Sequence, residues 1–301
     1  GAKAVWDDAR EGRANPYAEL PRISLYTYKM SDIVLEKVRE GVTIDGEQED
    51  WAFDLEEFFA TNSNGAFVHD DAVDRFLDAL TRQKKFPFST PELRDELKHT
   101  FWLLNRVESA KALARKLQAH EVFCDYEIVL AAGDGRLDAA AETGKSYDKV
   151  MRAIHEHERT ITLSVGQLTT GVTIPEWTAV MMLCNLKSPA LYMQAAFRAQ
   201  NPCLKVCEDG GALRKTDCYV FDFDPARTLD IYATFAVGLY SDTTGGKGGV
   251  EDREKRIREL LNFFPVIGEG EGDELVELDA ERVLSIPQKI RAVEIVRSGF
   301  M

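Results

Sequence analysis

The feature that most constrains the fold is an alternation of short apolar runs with amphipathic stretches between residues 98 and 224. Apolar runs without strict polar alternation are typical of strands buried on both faces of a parallel sheet. Amphipathic stretches between such runs favour right-handed crossover helices. We therefore predict an α/β fold built on a doubly wound parallel sheet.

Five runs are predicted as strands, and three of the intervening stretches as helices. The predicted strands are TFWLLNRV (100–107), YEIVLAAGDG (126–135), RTITLSVG (159–166), TAVMMLCNL (178–186) and, as the last, DCYVFDF (217–223). The predicted helices are ESAKALARKLQAH (108–120), SYDKVMRAIHEHE (146–158) and PALYMQAAFRAQ (189–200), and Ser146 is the expected N-cap of the second. In such sheets, ligands bind at the carboxyl ends of the strands.

Both flanks of this region have a different pattern. The Pro-punctuated stretch 15–32 is predicted as a linker, and 51–86 as two amphipathic helices that form a small insertion. The side chains expected to point inward are those of Trp51, Leu55, Phe58, Phe59, Phe76, Leu77 and Leu80. Stacking of those aromatic rings on bases is the alternative. We thus divide the chain into 1–97 (linker and helical insertion), 98–224 (α/β lobe) and 225–301 (helical C-terminal extension).

Charge and hydropathy exclude several classes of protein. The net charge of the 301 residues is −14, which argues against nucleic-acid binding through bulk charge alone. Residues 99–200 are balanced, with 11 Lys+Arg and 11 Asp+Glu, so the middle of the chain can present a neutral or locally basic face. No apolar run approaches the ~20 residues of a membrane span, and a signal peptide is absent, so we expect a cytoplasmic protein.

The cysteines and acidic pairs do not predict a metal site. The five cysteines suit reduced thiols, and Cys203, Cys207 and Cys218 are spaced irregularly without a fourth ligand, so zinc is the weaker alternative. Asp222 and Asp224 could suggest a metal nuclease, but the other groups of such a centre are not evident. We expect these two carboxylates to fix the end of a strand.

A threonine-rich turn and a helix with a glutamine and an arginine follow neighbouring predicted strands. The turn is LTTGVTIPEW (168–177), and Gln194 and Arg198 are one helical turn apart in QAAFRAQNP (194–202). Because the strands share a carboxyl edge, we expect both segments to converge there. The guanidinium of Arg198 suits phosphate oxygens, and Gln194 can orient a water or hydroxyl. The alternative is that Arg198 pairs with a surface carboxylate.

The segments TITLSVGQLTTGVTIPEW and SPALYMQAAFRAQNP resemble motifs V and VI of superfamily 2 helicases and translocases. The resemblance is strongest to the ATP-dependent subunits of type I and type III restriction enzymes. HTFWLLNRVESAKALARKL is similar to the motif IV strand and helix of that family. The resemblance covers about residues 98–224 and implies a second RecA-like lobe with helical N- and C-terminal additions.

The resemblance assigns roles to matched positions. Thr169, Thr170 and Gly171 match motif V, which in the family contacts the nucleic-acid backbone and communicates with the nucleotide. Thr169 and Thr170 are therefore candidate nucleic-acid contacts, and Thr170 and Gly171 candidate nucleotide contacts. Gln194 matches the leading glutamine of motif VI and Arg198 its first arginine, which implies a catalytic role for both.

Two positions depart from motif VI. Phe197 stands where the family usually has glycine, and Asn201 where it usually has the second arginine. Asn201 is thus the candidate nucleotide contact at that position. Either Arg198 alone stabilises the charge of the transition state, or the site is weakened.

The sequence lacks the phosphate-binding half of such a motor. The stretch AAAETGKS (139–146) ends in Gly-Lys-Ser, but alanine replaces the first glycine of a phosphate loop, so a plain helix start is expected there. No acidic magnesium-binding box is present. The resemblance thus implies the C-terminal half of a motor cut from a longer protein, inactive alone.

The whole protein implied by the resemblance hydrolyses ATP with Mg²⁺ to move along duplex DNA in a restriction-modification system. We expect neither cofactor to bind tightly to this chain. The implied partners are duplex DNA, the first RecA-like lobe of the same polypeptide, and methyltransferase or specificity subunits. Two alternatives stay open: an RNA helicase lobe, and a non-catalytic module that holds protein partners through its acidic helical flanks.

Overall fold

In the computed structural model, an eight-stranded sheet lies between helices, and a two-stranded hairpin lies apart from it. The structure describes residues 17–30, 33, 54–132, 139–169, 171–206, 212–240, 242–270 and 274–298. The strands are β1 (Arg22–Thr27), β2 (His99–Leu103), β3 (Glu127–Ala131), β4 (Thr160–Ser164), β5 (Ala179–Met182), β6 (Leu204–Val206), β7 (Ala212–Arg214), β8 (Asp217–Asp222), β9 (Val266–Glu269) and β10 (Leu275–Glu277).

Helices occupy most of the connections between the strands. They are α1 (Leu55–Phe58), α2 (Asp70–Arg82), α3 (Pro91–Glu96), α4 (Val107–Ala119), α5 (Ala139–Glu156), α6 (Pro189–Ala196), α7 (Pro225–Gly238), α8 (Val250–Leu261) and α9 (Ala280–Ser298). Short 3₁₀ turns occur at Phe123–Asp125, Phe197–Gln200 and Thr244–Gly246.

The strand order across the large sheet is β10-β9-β1-β8-β5-β2-β4-β3, and every neighbouring pair is parallel except β9 with β10. The last residues of the five central strands are paired in register. Ser164 pairs with Leu103, Leu103 with Met182, Met182 with Asp222, and Asp222 with Thr27. These residues define the carboxyl edge of the sheet.

Both faces of the sheet are covered. Leu103 and Val180 pack with side chains from α5 to α9 in one cluster, whereas Trp102 and Met181 pack with α1, α2 and α4 in the other. Because successive strand residues point to opposite faces, burial on both sides removes polar alternation from the sequence. Every residue of β4 and β5 is buried. This doubly wound parallel sheet confirms the predicted α/β class.

The predicted start of the helix before β4 was wrong. The helix α5 begins at Ala139, so Ser146 lies in its interior and is not an N-cap. The Ser146 hydroxyl instead donates a hydrogen bond to the side-chain carbonyl of Gln167. Isolated glycines such as Gly144 are tolerated inside helices at a modest cost, which explains why the helix extends through the Gly-Lys-Ser stretch. The predicted Gly-Asp-Gly loop (133–135) lies outside the described residues.

The sheet includes strands from both flanks. β1 lies within the stretch predicted as a linker and pairs with β8 and β9, and β9 and β10 lie within the predicted helical extension. The predicted boundaries at 98 and 224 therefore do not coincide with the limits of the sheet. Ile23 and Leu25 are buried and alternate with less buried residues, which is a weak signal in a short strand.

Of the two helices predicted at 51–86, the second forms as α2, whereas the first is helical only at α1 among its described residues, and both pack directly onto the sheet. Phe58, Phe59 and Phe76 point inward as expected and are at most 1% exposed, with their rings in edge-to-face contact. They are therefore unavailable to bases, and the base-stacking alternative is wrong for these residues. Trp51 lies outside the described residues.

A buried ion pair fixes the end of β8. Asp222 is fully buried, and its Oδ1 accepts hydrogen bonds from Arg227 Nη2 at 2.8 Å and from the Asp224 backbone N–H at 3.1 Å. Arg227 Nε also contacts Asp224 Oδ2 at 3.2 Å, and its Nη1 donates to the Leu186 carbonyl at 3.3 Å. Burial raises the pKa of Asp222, and Arg227 opposes that shift. The expected strand-end role of both aspartates is confirmed.

We expect Asp222→Ala to lower the free energy of unfolding by about 3–5 kcal/mol, because it leaves Arg227 buried beside a single, partly exposed carboxylate. Urea denaturation of the purified chain measures the change. Asp217→Ala is the matched control, since its ion pair with Arg22 is exposed to solvent, and it should cost about 0–1 kcal/mol. Equal losses of unfolding free energy in the two variants would show that the buried ion pair stabilises the chain no more than the exposed one.

Candidate functional site

The turn after β4 has an unusual backbone conformation. Gly166, Leu168 and Gly171 have φ angles of 73°, 60° and 75°, in the left-handed region. Glycine adopts this region freely, whereas a leucine there is strained and persists only when its surroundings hold it. Leu168 is 1% exposed, so its side chain is anchored in the core. The turn is therefore held by burial at its centre and by glycines on both sides.

Hydrogen bonds within the turn restrain its side chains. Ser164 donates from Oγ to the Gln167 carbonyl, and Thr169 donates from Oγ1 to the Gly166 carbonyl at 2.8 Å. The Thr169 hydroxyl proton is thus already used, and donation to a phosphate oxygen would require the hydroxyl to rotate. Thr170 lies outside the described residues.

Gly171 is exposed at the end of the turn. A Cβ at Gly171 would meet no atom within 4 Å, so glycine is needed for its backbone angle and not for space. The assigned roles of Thr169, Thr170 and Gly171 toward nucleic acid and nucleotide stay predictions.

Arg198 joins the segment after the turn to the end of α6. The helix starts with Ser188, whose Oγ accepts from the Leu191 backbone N–H at 3.4 Å, and it continues into the 3₁₀ turn that contains Arg198. Arg198 Nε donates to the Gln194 carbonyl at 3.2 Å, and its Nη1 donates to the Val172 carbonyl. The structure thus brings the two predicted segments together. The Gln194 side chain itself is exposed.

The Arg198 side chain is half-buried beside backbone carbonyls. Among the residues that the structure describes, no carboxylate forms an ion pair with it, so the predicted surface ion-pair alternative finds no partner there. Burial lowers the pKa of Arg198, and no neighbouring charge offsets that shift. Arginine nevertheless stays protonated in proteins. Within the same residues its Nη2 has no acceptor, which leaves one guanidinium nitrogen for an anionic ligand.

Arg198 does not lie at the carboxyl edge where we expected it. The Ala199 carbonyl accepts from Lys215 Nζ at 2.9 Å, and Gln200 Nε2 donates to the Pro21 carbonyl at 3.3 Å. Both partners precede strands, so this part of the chain lies toward the amino ends of the sheet. The physical reason is helix length: Arg198 lies nine residues after Pro189, the first residue of α6, and this rise of ~14 Å runs antiparallel to the strands over the length of about four strand residues.

The two departures from the family pattern have structural roles. The Asn201 side-chain amide donates to the Arg198 carbonyl at 2.9 Å and so terminates the 3₁₀ turn. The ring of Phe197 packs on that of Phe264 with centroids 5.8 Å apart. A large side chain in place of glycine therefore contributes a core contact beside Arg198. The candidate role of Asn201 in nucleotide contact stays a prediction.

The Gly-Lys-Ser stretch cannot act as a phosphate loop in this conformation. It lies inside α5, where backbone N–H groups are used by the helix and do not point at a ligand. The alternative of a phosphate loop at 139–146 is therefore wrong, and the stretch is helical, although the helix starts earlier than predicted.

Few groups in the described ranges suit a metal ion. Asp70, Asp71 and Asp74 are exposed and close enough to share a cation, a cluster that spacing along α2 could have suggested. Lys116 Nζ already pairs with Asp70 and Asp74 at 3.0 and 2.7 Å. Burial raises the pKa of the Cys218 thiol to about 12, which disfavours the thiolate that binds metals. Cys207 lies outside the described residues.

No described helix combines the length and apolar character required to cross a bilayer. No protein-family model matches the sequence.

The chain is similar in sequence to a Mycoplasma pneumoniae protein named as the C-terminal part of a proposed type II restriction enzyme and methyltransferase. The two are 26% identical over 284 residues, which cover 88% of this chain. The chain spans only 37% of the length of that relative.

Two solved structures show weaker similarity. An ATP-dependent type ISP restriction-modification enzyme bound to DNA matches 85% of this chain and 16% of its own, with 14% identity and a TM-score of 0.36. The second domain of a DEAD-box helicase bound to an RNA duplex matches 79% of this chain and 68% of its own, with 11% identity and a TM-score of 0.33. Similarities this low establish neither fold nor function. The sequence relative, however, confirms the predicted resemblance to restriction enzymes.

Proposed function

We propose that this chain is the C-terminal motor lobe of an ATP-dependent DNA translocase in a restriction-modification enzyme. The observation that carries the proposal is Arg198, a half-buried arginine that contacts backbone carbonyls and, within the described residues, no carboxylate. In this role Arg198 stabilises the negative charge that develops on the phosphates of ATP during hydrolysis.

The geometry of Arg198 suits that task. Its Nε and Nη1 are each held by a carbonyl oxygen, which fixes the plane of the guanidinium before a ligand arrives. Preorganised donors stabilise a transition state without a reorganisation cost at the moment of reaction. Gln194, exposed one helical turn earlier, orients the attacking water beside the phosphate.

The nucleotide is held mainly by another lobe. The 301 residues contain no complete phosphate loop and no acidic magnesium-binding box, so the β and γ phosphates and Mg²⁺ require a second surface. We assign that surface to a first RecA-like lobe of the same polypeptide, in keeping with a relative that is much longer than this chain.

Duplex DNA is the proposed track. The named activities of the sequence relative, restriction and methylation, support DNA over RNA. The turn at 165–171 is the proposed contact with the phosphate backbone, through Thr169 and Thr170. Methyltransferase or specificity subunits are the proposed protein partners.

In the full-length polypeptide, we expect Arg198→Ala to lower the rate of ATP hydrolysis by a factor on the order of a thousand, with ATP affinity nearly unchanged. Arg198→Lys should restore little, because an ammonium cannot reproduce the planar fork. Steady-state kinetics at saturating ATP and DNA measure the effect. Arg152→Ala, at an exposed arginine on α5, is the control. A less heat-stable Arg198→Ala enzyme with normal specific activity would make Arg198 a purely structural residue.

We expect the 301-residue chain alone to hydrolyse no ATP, because it lacks the loop that binds the β and γ phosphates. A phosphate-release assay on the purified chain tests this directly. Steady turnover above a no-protein control, sensitive to Arg198→Ala, would instead show a complete nucleotide site within these residues.

We expect the chain to bind duplex DNA weakly, with an affinity that falls steeply as salt rises, because backbone contacts release counterions from the phosphates. Fluorescence anisotropy with labelled duplexes from ~50 to ~200 mM salt measures the slope. An RNA duplex of the same sequence is the matched comparison. Tighter binding to RNA than to DNA would favour an RNA helicase lobe. An affinity that does not change with salt would exclude contact between the turn at 165–171 and the phosphate backbone.

A further inference from the structure

Lys215 is a lysine whose ammonium lies among backbone carbonyls. Its Nζ donates hydrogen bonds to the carbonyl oxygens of Pro175 at 2.6 Å, Trp177 at 2.9 Å and Ala199 at 2.9 Å. An ammonium has three hydrogens, so these three acceptors use all of them. Burial lowers the pKa of Lys215, and two nearby thiols and one glutamate oppose that shift. Within the described part of the chain it forms no ion pair.

The three acceptors belong to the two segments that form the candidate site. Pro175 and Trp177 lie between the turn and β5, and Ala199 directly follows Arg198. Arg198 itself donates to the Val172 carbonyl, a few residues upstream of Pro175. The same two segments are therefore joined twice, once by the guanidinium of Arg198 and once by the ammonium of Lys215.

The backbone of Lys215 is fixed independently of these contacts. It lies between β7 and β8, and its N–H donates to the Cys203 carbonyl at 3.0 Å, next to β6. The hairpin of β6 and β7 thus holds Lys215 on one side and the sheet holds it on the other. Its side chain reaches from this fixed point to both site segments.

We propose that Lys215 is a positioning residue for Arg198. This proposal rests on the proposed function and adds a residue to the same site. Packing alone does not require a lysine at a desolvated position, because a neutral side chain would avoid the desolvation cost of a buried charge. What only the ammonium supplies is three hydrogen bonds that hold the Arg198 segment against 172–177. Misplacement of a reacting group by ~1 Å can cost about a hundredfold in rate.

The test in the full-length polypeptide is a double-mutant cycle of Lys215→Met and Arg198→Ala. We expect Lys215→Met to lower kcat for ATP hydrolysis by about tenfold to a hundredfold with KM changed by less than about threefold. In the Arg198→Ala background it should have little further effect, because both residues act through one group. Lys187→Met, at an exposed lysine before α6, is the control and should retain wild-type kcat.

A second readout does not depend on hydrolysis. In the chain labelled with ¹⁵N at arginine, NMR relaxation gives the order parameter of the Arg198 Nε–H bond. We expect this order parameter to fall in Lys215→Met and to stay unchanged in Lys187→Met. If Lys215→Met does not fold, Lys215→Arg replaces it in the same measurements. We expect Lys215→Arg to lower kcat and the order at Arg198 by less, and its effect on kcat should again be non-additive with that of Arg198→Ala.

Several outcomes overturn the proposal. A lower melting temperature with unchanged kcat and an unchanged Arg198 signal would make Lys215 a stabilising residue only. Additive losses in the cycle would show that it acts apart from Arg198. If Arg198→Ala leaves the rate of ATP hydrolysis unchanged, the proposed function itself fails. If Arg198→Ala lowers that rate strongly but Lys215→Met leaves it unchanged, only the positioning role of Lys215 is overturned.

Discussion

The parallel pairing of β5 with β2 on one side and β8 on the other determines where the candidate site can form. Because these strands are parallel, each connection must run back along a face of the sheet to begin the next strand at its amino end. The segment after β4 and the helix after β5 therefore both run antiparallel to the strands. Their backbones lie side by side, and Arg198 bridges them at Val172.

Three buried or half-buried cations of the lobe are stabilised in two different ways. Arg227 faces two carboxylates, which balance its charge. Arg198 and Lys215 face carbonyl oxygens, which satisfy hydrogen-bond donors but cancel no charge. A chain with a net charge of −14 thus holds two desolvated cations close together, neither of which forms an ion pair within the described residues. Arg227 is therefore a structural cation, whereas Arg198 keeps one guanidinium nitrogen that suits an anionic ligand.

The strands and crossover helices between β2 and β8 were predictable because burial on both faces produces continuous apolar runs. The strand β1 was not, since its burial alternates and proline precedes it, and β9 and β10 are too short to stand out. The contact between the turn segment and Arg198 could be predicted, because both follow strands that are consecutive along the chain. The position of Arg198 along the sheet could not be predicted, because it depends on how far the helix runs back toward the amino ends of the strands. Lys215 gave no sequence signal: its acceptors are backbone carbonyls, which any residue supplies.

The position of β1 limits how this chain can be shortened. β1 covers β8 along all six residues, from Arg22 beside Asp217 to Thr27 beside Asp222. A fragment cut at 98–224 would leave the backbone N–H and C=O groups along that side of β8 without partners. An exposed, largely apolar strand of this kind is a template for intermolecular pairing. Such a fragment would self-associate through this edge, so expression boundaries are better placed before Arg22 and after Ser298, the last residue of α9.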